Sequence, residues 1–196
     1  MTLSLTFLLL AAYLVGAIPT GVLLTRLAGA GDIRQAGSGN IGATNVYRVA
    51  GRGLGIATLV GDALKGIVPL LVARALQLPP EQTALIAAAA FLGHLYPVYL
   101  GFKGGKGVAT ALGIFLVLSP ATVALAALLF GLLLWKWRYV SLGSICAAAA
   151  APPLVYFFTS SLPLLLASLF VAVMVIVRHR ENIKRLLAGS ENRFKA

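Results

Sequence analysis

Charge is scarce in this sequence. Only 11% of its 196 residues are Asp, Glu, Lys or Arg, whereas 60% are hydrophobic and the mean hydropathy is +0.95. Soluble domains carry about a quarter charged residues, so that class is excluded and an integral membrane protein is expected. Negative charge is scarcest of all: 5 Asp and Glu stand against 16 Lys and Arg, a net charge of +11. In so apolar a chain the positive excess sets topology and attracts anionic headgroups or substrates, and nucleic acid is not an expected partner. Cysteine is nearly absent. Cys146 stands alone, so no intramolecular disulfide can form, and its apolar neighbours predict a packed, inert thiol. The start, Met1 to Ala17, lacks the positively charged region of a cleaved signal and is expected to stay as a first spanning helix.

Seven apolar stretches follow one another. The first runs from about Leu3 to Leu27 and is interrupted at Gly16-Ala17-Ile18-Pro19-Thr20-Gly21, where a kink is expected. Ala28 to Gly53 is too polar for hydrocarbon and reads as an inner loop, with a short interfacial helix carrying Ile41, Val46, Val49 and Ala50 on one face. The second span, about Leu54 to Leu76, holds Asp62 and Lys65 at a spacing that lets them pair. The third covers about Thr83 to Leu100. Val108 to Leu118 is short for a span, and Ser119-Pro120 looks like an N-cap followed by a first-turn proline. Charge decides whether this run and the next are one kinked helix or two, because two helices return Lys136 and Arg138 to the side of Lys103 and Lys106. The fifth span runs from Pro120 to Trp135, the sixth from about Ser141 to Phe158 with a bend at Pro152-Pro153, and the seventh ends at Val177.

The expected fold is therefore an all-α membrane protein of seven transmembrane helices, N-terminus outside and C-terminus cytoplasmic, forming a single polytopic domain over residues 1–196. Of the 16 Lys and Arg, only Lys65, inside the second span, and Arg74, near the outer face, depart from the inner side.

Three polar clusters fall on that inner side. The first is Gly37-Ser38-Gly39-Asn40-Ile41-Gly42-Ala43-Thr44-Asn45 with Arg48. Its opening matches G-x-G-x-x-G, and Asp62 lies twenty residues past Gly42, but membrane helices flank it, so no βαβ dinucleotide fold can form. What survives is a loop of amides and hydroxyls suited to phosphate, or else a polar turn with a helix cap. The second is Gly101-Phe102-Lys103-Gly104-Gly105-Lys106-Gly107, with His94 before it and Thr110 after. It reads either as an anion cradle ahead of a helix N-terminus or as a flexible basic loop that fixes topology. Lys106 stands where a nucleotide P-loop needs glycine, so ATP is not implied. Lys106 is placed to follow the backbone around an anion, Lys103 to reach headgroups. His94 is read as a hydrogen-bonded structural residue in preference to a base. The third is Arg178-His179-Arg180-Glu181-Asn182-Ile183-Lys184-Arg185, either a stop-transfer end or a site, with His179 and Asn182 on one face, Glu181 able to pair with Arg185, and Ser141 offering a hydroxyl from another helix end.

In order, GSGNIGATNVYR (Gly37 to Arg48), GHLYPVYLGFKGGKGVAT (Gly93 to Thr110) and HRENIKRLLAGSE (His179 to Glu191) resemble the three motifs of the bacterial acyl-phosphate:glycerol-3-phosphate acyltransferase family. Tyr96 replaces the usual phenylalanine of the second motif. The H-x-x-x-x-D signature of other glycerolipid acyltransferases is absent, since neither Asp32 nor Asp62 has a histidine five residues before it. The resemblance implies an enzyme of the plasma (inner) membrane, with its site at the cytoplasmic face. It moves a fatty chain from acyl phosphate to the primary hydroxyl of glycerol 3-phosphate, giving lysophosphatidic acid and inorganic phosphate, without cofactor or metal. Membrane lipid and the upstream acyl-phosphate synthase are its implied further partners. Catalytic roles are then expected of Lys106, His179, Asn182 and Ser38, and substrate binding of Arg48, Asn40, Thr44, Asn45, Lys103, Gly104, Gly105, Gly107 and Ser141. The competing class is a carrier or channel for phosphorylated metabolites, although a channel needs polar groups through its full depth.

Overall fold

The computed structural model describes residues 3–194, and all regular structure among them is helical. The contacts gather into two compact units, one ending at Val117 and one beginning at Leu118.

In the first unit, α1 (Leu3–Ala17) and α2 (Thr20–Leu27) meet at a 43° bend. Pro19 supplies no N–H to a carbonyl of α1, and here the expected kink becomes a break, with Pro19 standing just before α2. After a 3₁₀ turn at Ile33–Gln35 come α3 (Ala43–Ala50), α4 (Arg52–Ala75) and α5 (Pro80–Leu95). The apolar stripe of α3 is covered in part, with Val49 left exposed. Val46 and Ile41 are buried with Val22 and Ile33, because α2 and the turn offer a closer apolar surface. Two glycines set the crossing of α1 and α5: a Cβ on Gly16 would overlap the Ala90 carbonyl, and one on Gly93 the Tyr13 carbonyl. Small residues let membrane helices approach backbone to backbone. Tyr13 Oη–H donates to the Tyr96 carbonyl at 2.7 Å and closes the far end of the crossing. The third predicted span does reach Leu100, but its α-helix ends at Leu95, because Pro97 cannot donate within a helix, and Val98–Leu100 continues it as a 3₁₀ turn leading into the glycines. Then α6 (Val108–Leu118) begins.

The second unit is α7 (Pro120–Trp137), α8 (Val140–Thr159), α9 (Leu162–Arg178) and α10 (Arg180–Leu187), with α8 packed between α7 and α9. Gly143 lets α8 lie against Phe130 of α7. α8 stays helical through Pro152 and Pro153. The Ser119 side chain does not cap α7; its hydroxyl hydrogen-bonds that of Thr122 at 2.8 Å. α9 and α10 are bent by 57° where the apolar run ends.

Four helices are long and apolar enough to cross a bilayer, the two bent pairs qualify when each is taken as one span, and α6 is a shorter apolar helix. Helices of this kind belong to a multi-pass membrane protein, and α7, with only Thr122 buried, leaves its apolar sides uncovered.

Candidate functional site

The first polar cluster is a loop wrapped around one side chain. Asn45, in the first turn of α3, is 2% exposed. Its Nδ2 donates to the carbonyls of Ile33 (3.2 Å), Ala36 (3.1 Å) and Asn40 (2.9 Å), and its Oδ1 accepts the Ser38 N–H at 2.8 Å. An amide has two N–H groups, so one is shared among the three carbonyls. Gly37 has φ +60°, and a Cβ there would overlap Asn45 Oδ1, so only glycine fits beneath the clamp. The clamp leaves Ser38 exposed on the loop, Thr44 half-buried at the start of α3 and Arg48 exposed near its end. Asn40 Oδ1 accepts the Gly42 N–H at 2.9 Å, which turns the chain into α3. Upstream, Arg34 and then Arg26 hydrogen-bond the Asp32 carboxyl and hold it well below the usual carboxylate range. Arg26 of α2 and Arg34 of the 3₁₀ turn are thereby committed to Asp32.

The second cluster rests on the end of α5. Gly101 and Phe102 both take the left-handed region, φ +57° and +64°, and reverse the chain after the 3₁₀ turn. The Gly105 N–H donates to the His94 carbonyl at 3.2 Å, so this amide belongs to the fold, not to a ligand. A Cβ on Gly104 would overlap the His94 and Leu95 carbonyls, one on Gly105 the His94 ring, and one on Gly107 the Phe91 ring. The glycines are therefore needed for seating as much as for access. Gly107 also has φ +83°, and the chain passes directly from it into the N-terminus of α6, with half-buried Lys106 beside that end. Lys103 is exposed.

The third cluster, in the second unit, converges on one carboxylate. Glu191 Oε1 accepts from Ser141 Oγ (2.8 Å) and Asn182 Nδ2 (2.7 Å), and Oε2 accepts from Arg185 Nε (2.7 Å). Burial works to raise the Glu191 pKa, but the bonds from Asn182, Arg185 and Ser141 outweigh it and hold the group below its ordinary range. Arg185 therefore serves Glu191 and not Glu181, which lies 3.5 Å from Arg180 and from Lys184 instead. His179 is 3% exposed, and its Nδ1 lies 2.8 Å from the Val175 carbonyl. A carbonyl only accepts, so Nδ1 carries a proton, and it is Nε2 that bears the lone pair whenever the ring is neutral. The tail is strapped back, with the Phe194 N–H donating to the Arg138 carbonyl (2.6 Å) and Arg138 Nε to the Phe194 carbonyl (3.1 Å).

The model of the glycerol-3-phosphate acyltransferase family matches residues 6–189, and so takes in nearly all of the three clusters. The chain belongs to the glycerol-3-phosphate acyltransferase family. It is 68% identical over 194 residues to the glycerol-3-phosphate acyltransferase of Syntrophotalea carbinolica, covering 98% of this chain and 99% of that one. To that of Geobacter sulfurreducens it is 58% identical over 185 residues, 94% and 95% of the two chains. Among solved structures it is similar to PlsY (YgiH), an integral membrane glycerol 3-phosphate acyltransferase, at 42% identity over 98% of this chain and 96% of that one. The TM-score is 0.92 for the glycerol 3-phosphate form and 0.90 for the lysophosphatidic acid form.

For this member of the acyltransferase family, the structure gathers Ser38, Asn40, Thr44, Asn45 and Arg48 in one loop and helix, Lys103 to Gly107 in one turn, and Ser141 and Asn182 on one carboxylate. Two features were not anticipated as parts of the site. Glu191 is one, marked in the sequence only as the acid that closes the third motif; the other is the tie between His94 and the Asp62–Lys65 pair.

Proposed function

We propose that this protein acylates the primary hydroxyl of glycerol 3-phosphate, with acyl phosphate as donor. Lysophosphatidic acid and inorganic phosphate are the products. The observation that carries the reading is the seating of Gly104, Gly105 and Gly107 against α5, which brings Lys106 and the start of α6 together with no side chain between them. Helix N-termini and a lysine suit phosphate, and both substrates carry one.

In this reading Gly104, Lys106 and Gly107, with Ser38, Asn40 and Thr44, hold phosphate, Gly105 shapes the turn through its bond to the His94 carbonyl, Arg48 and Lys106 neutralise the glycerol phosphate, and Lys103 meets anionic groups at the surface. Asn45 acts by shaping the loop that presents Ser38. Ser141, His179 and Asn182 orient the glycerol, Ser141 and Asn182 being aligned by Glu191. The glycerol oxygen attacks the acyl carbonyl carbon and the bond from that carbon to the phosphate oxygen breaks. The proton goes to a substrate phosphate or to His179 Nε2. An acyl phosphate is already activated, so orientation and charge stabilisation carry the rate.

Residues 1–196 form one acyltransferase domain of the bacterial inner membrane, a reading supported by a family match that runs through both compact units. The chain crosses the bilayer seven times, counting α6, with the N-terminus outside and the clusters at the cytoplasmic face, as the basic residues favour. Membrane lipid surrounds the protein, and the donor comes through transient contact with the synthase that makes it.

The test is incubation of detergent-purified protein with palmitoyl phosphate and labelled glycerol 3-phosphate, without metal, ATP or coenzyme A. Labelled lysophosphatidic acid from the wild type but not from Lys106→Ala is the expected result. Product only from acyl-CoA or acyl-carrier protein would overturn the donor. Substrate uptake by sealed vesicles without product would make the protein a carrier.

A further inference from the structure

Asp62 and Lys65, in α4, and His94, in the last turn of α5, are 2%, 4% and 3% exposed. Ionisable groups inside a membrane protein persist only with partners, and usually because something depends on them. Lys65 Nζ lies 2.6 Å from Asp62 Oδ1 and 3.4 Å from His94 Nδ1, whereas His94 Nδ1 and Asp62 Oδ1 are 3.9 Å apart, beyond hydrogen-bond reach. Lys65 is thus a spent charge. It also settles the histidine, because an ammonium can only donate: Nδ1 accepts, and the proton of the neutral ring sits on Nε2. This is the opposite tautomer from His179. His94 is therefore a donor and not a base.

The protonated nitrogen faces the glycine turn, being the atom that a Cβ on Gly105 would meet first. Two further ties hold the turn to the same spot. The Gly105 N–H donates to the His94 carbonyl at 3.2 Å, and Thr110 Oγ1, in the first turn of α6, donates to the Asp62 carbonyl at 3.0 Å. Both ends of the segment bearing Lys106 are thus anchored on the residues of one buried cluster.

We propose that Asp62, Lys65 and His94 form a positioning relay: the Asp62–Lys65 pair fixes His94 with its Nε2–H toward Gly105, and so sets Lys106 and the start of α6 to receive phosphate. The proposal rests on the reading of this turn as a phosphate subsite. Its chemical consequence is that specificity for a phosphorylated substrate depends on residues that never touch it.

The amide N–H of glutamine can stand near His Nε2, and that of asparagine only near Nδ1. Full-length His94→Gln, His94→Asn and Lys65→Met are purified in detergent, and kcat, KM for palmitoyl phosphate, KM for glycerol 3-phosphate and Tm are measured. His94→Gln should stay within about 3-fold of wild type, while His94→Asn and Lys65→Met raise KM for one phosphate substrate about 10-fold, the size of one lost hydrogen bond, with a smaller change in kcat. Equal behaviour of the Gln and Asn variants, or a loss confined to kcat or Tm, would overturn the relay. Lys106→Ala separates the two levels. If it leaves both KM values unchanged, the subsite reading fails; if it raises one and His94→Asn does not, only the relay fails. The state of His94 is read without catalysis from ¹⁵N-histidine spectra of His179→Gln, in which His94 is the one histidine left. A proton on Nε2 and none on Nδ1 supports the relay, and the reverse refutes it even if every His94 variant fails to fold.

Discussion

Single side chains in this protein organise more backbone than their neighbours in sequence would suggest. Asn45 is the clearest case, because its amide meets three carbonyls and its oxygen one N–H. Asn45→Ala should cost about 1–3 kcal/mol, the penalty of leaving buried polar groups without partners. Asn45→Asp should be no better despite its shape, since it sets an acceptor against carbonyls; Tm of the two purified variants checks this. Glu191 predicts a pH effect. Its folded pKa is lowered, so its contribution to stability is complete above about pH 4.5 and is lost as pH falls through the lower folded value. Glu191→Gln should therefore lower stability near neutrality by about 1–2 kcal/mol once solvent at Arg185 is allowed for, seen as a lower Tm, and the two Tm curves should converge in acid. The sequence marks Asn45 as one amide in a loop of donors. That its side chain turns inward follows from Ile33 and Ala36 being folded over it, a matter of chain reversal that no local pattern encodes.

Elements meet here through glycine more than through interlocking side chains. At the α1–α5 crossing, Gly16→Leu or Gly93→Leu has no space except against backbone, so each should abolish the folded protein, seen as loss of the monodisperse peak in detergent chromatography. Gly107→Ala is a different defect. It adds a Cβ at φ +83° against Phe91, which disturbs the entry to α6 while leaving the helices paired. Activity should fall at least about 10-fold, since angstrom-scale misplacement costs up to about 100-fold, while Tm moves by only a few degrees. Helix boundaries were readable from Pro19, Pro80, Pro97 and Pro120, because a missing N–H acts locally. Which face of α3 would be covered was not readable, since that depends on α2 arriving beside it.

At the scale of the molecule, the excess of Lys and Arg on one side predicts orientation. In a Cys146→Ser background, Gln77→Cys, after α4, should react with an impermeant maleimide only from outside, and Arg180→Cys only from inside. Labelling of both from one face would overturn the seven-span reading. Membrane class, the order of the apolar helices and the three polar motifs were all determined by the sequence itself, because hydropathy, proline breaks and motif spacing act along the chain. Only the tertiary structure decided that Asn45 clamps its loop, that the glycines are seats on α5, that Arg185 joins Ser141 and Asn182 on Glu191, and that Lys65 belongs to both Asp62 and His94. Each of these is a hydrogen bond or a close approach between residues made neighbours by folding, and its energy depends on distances that composition and periodicity do not contain.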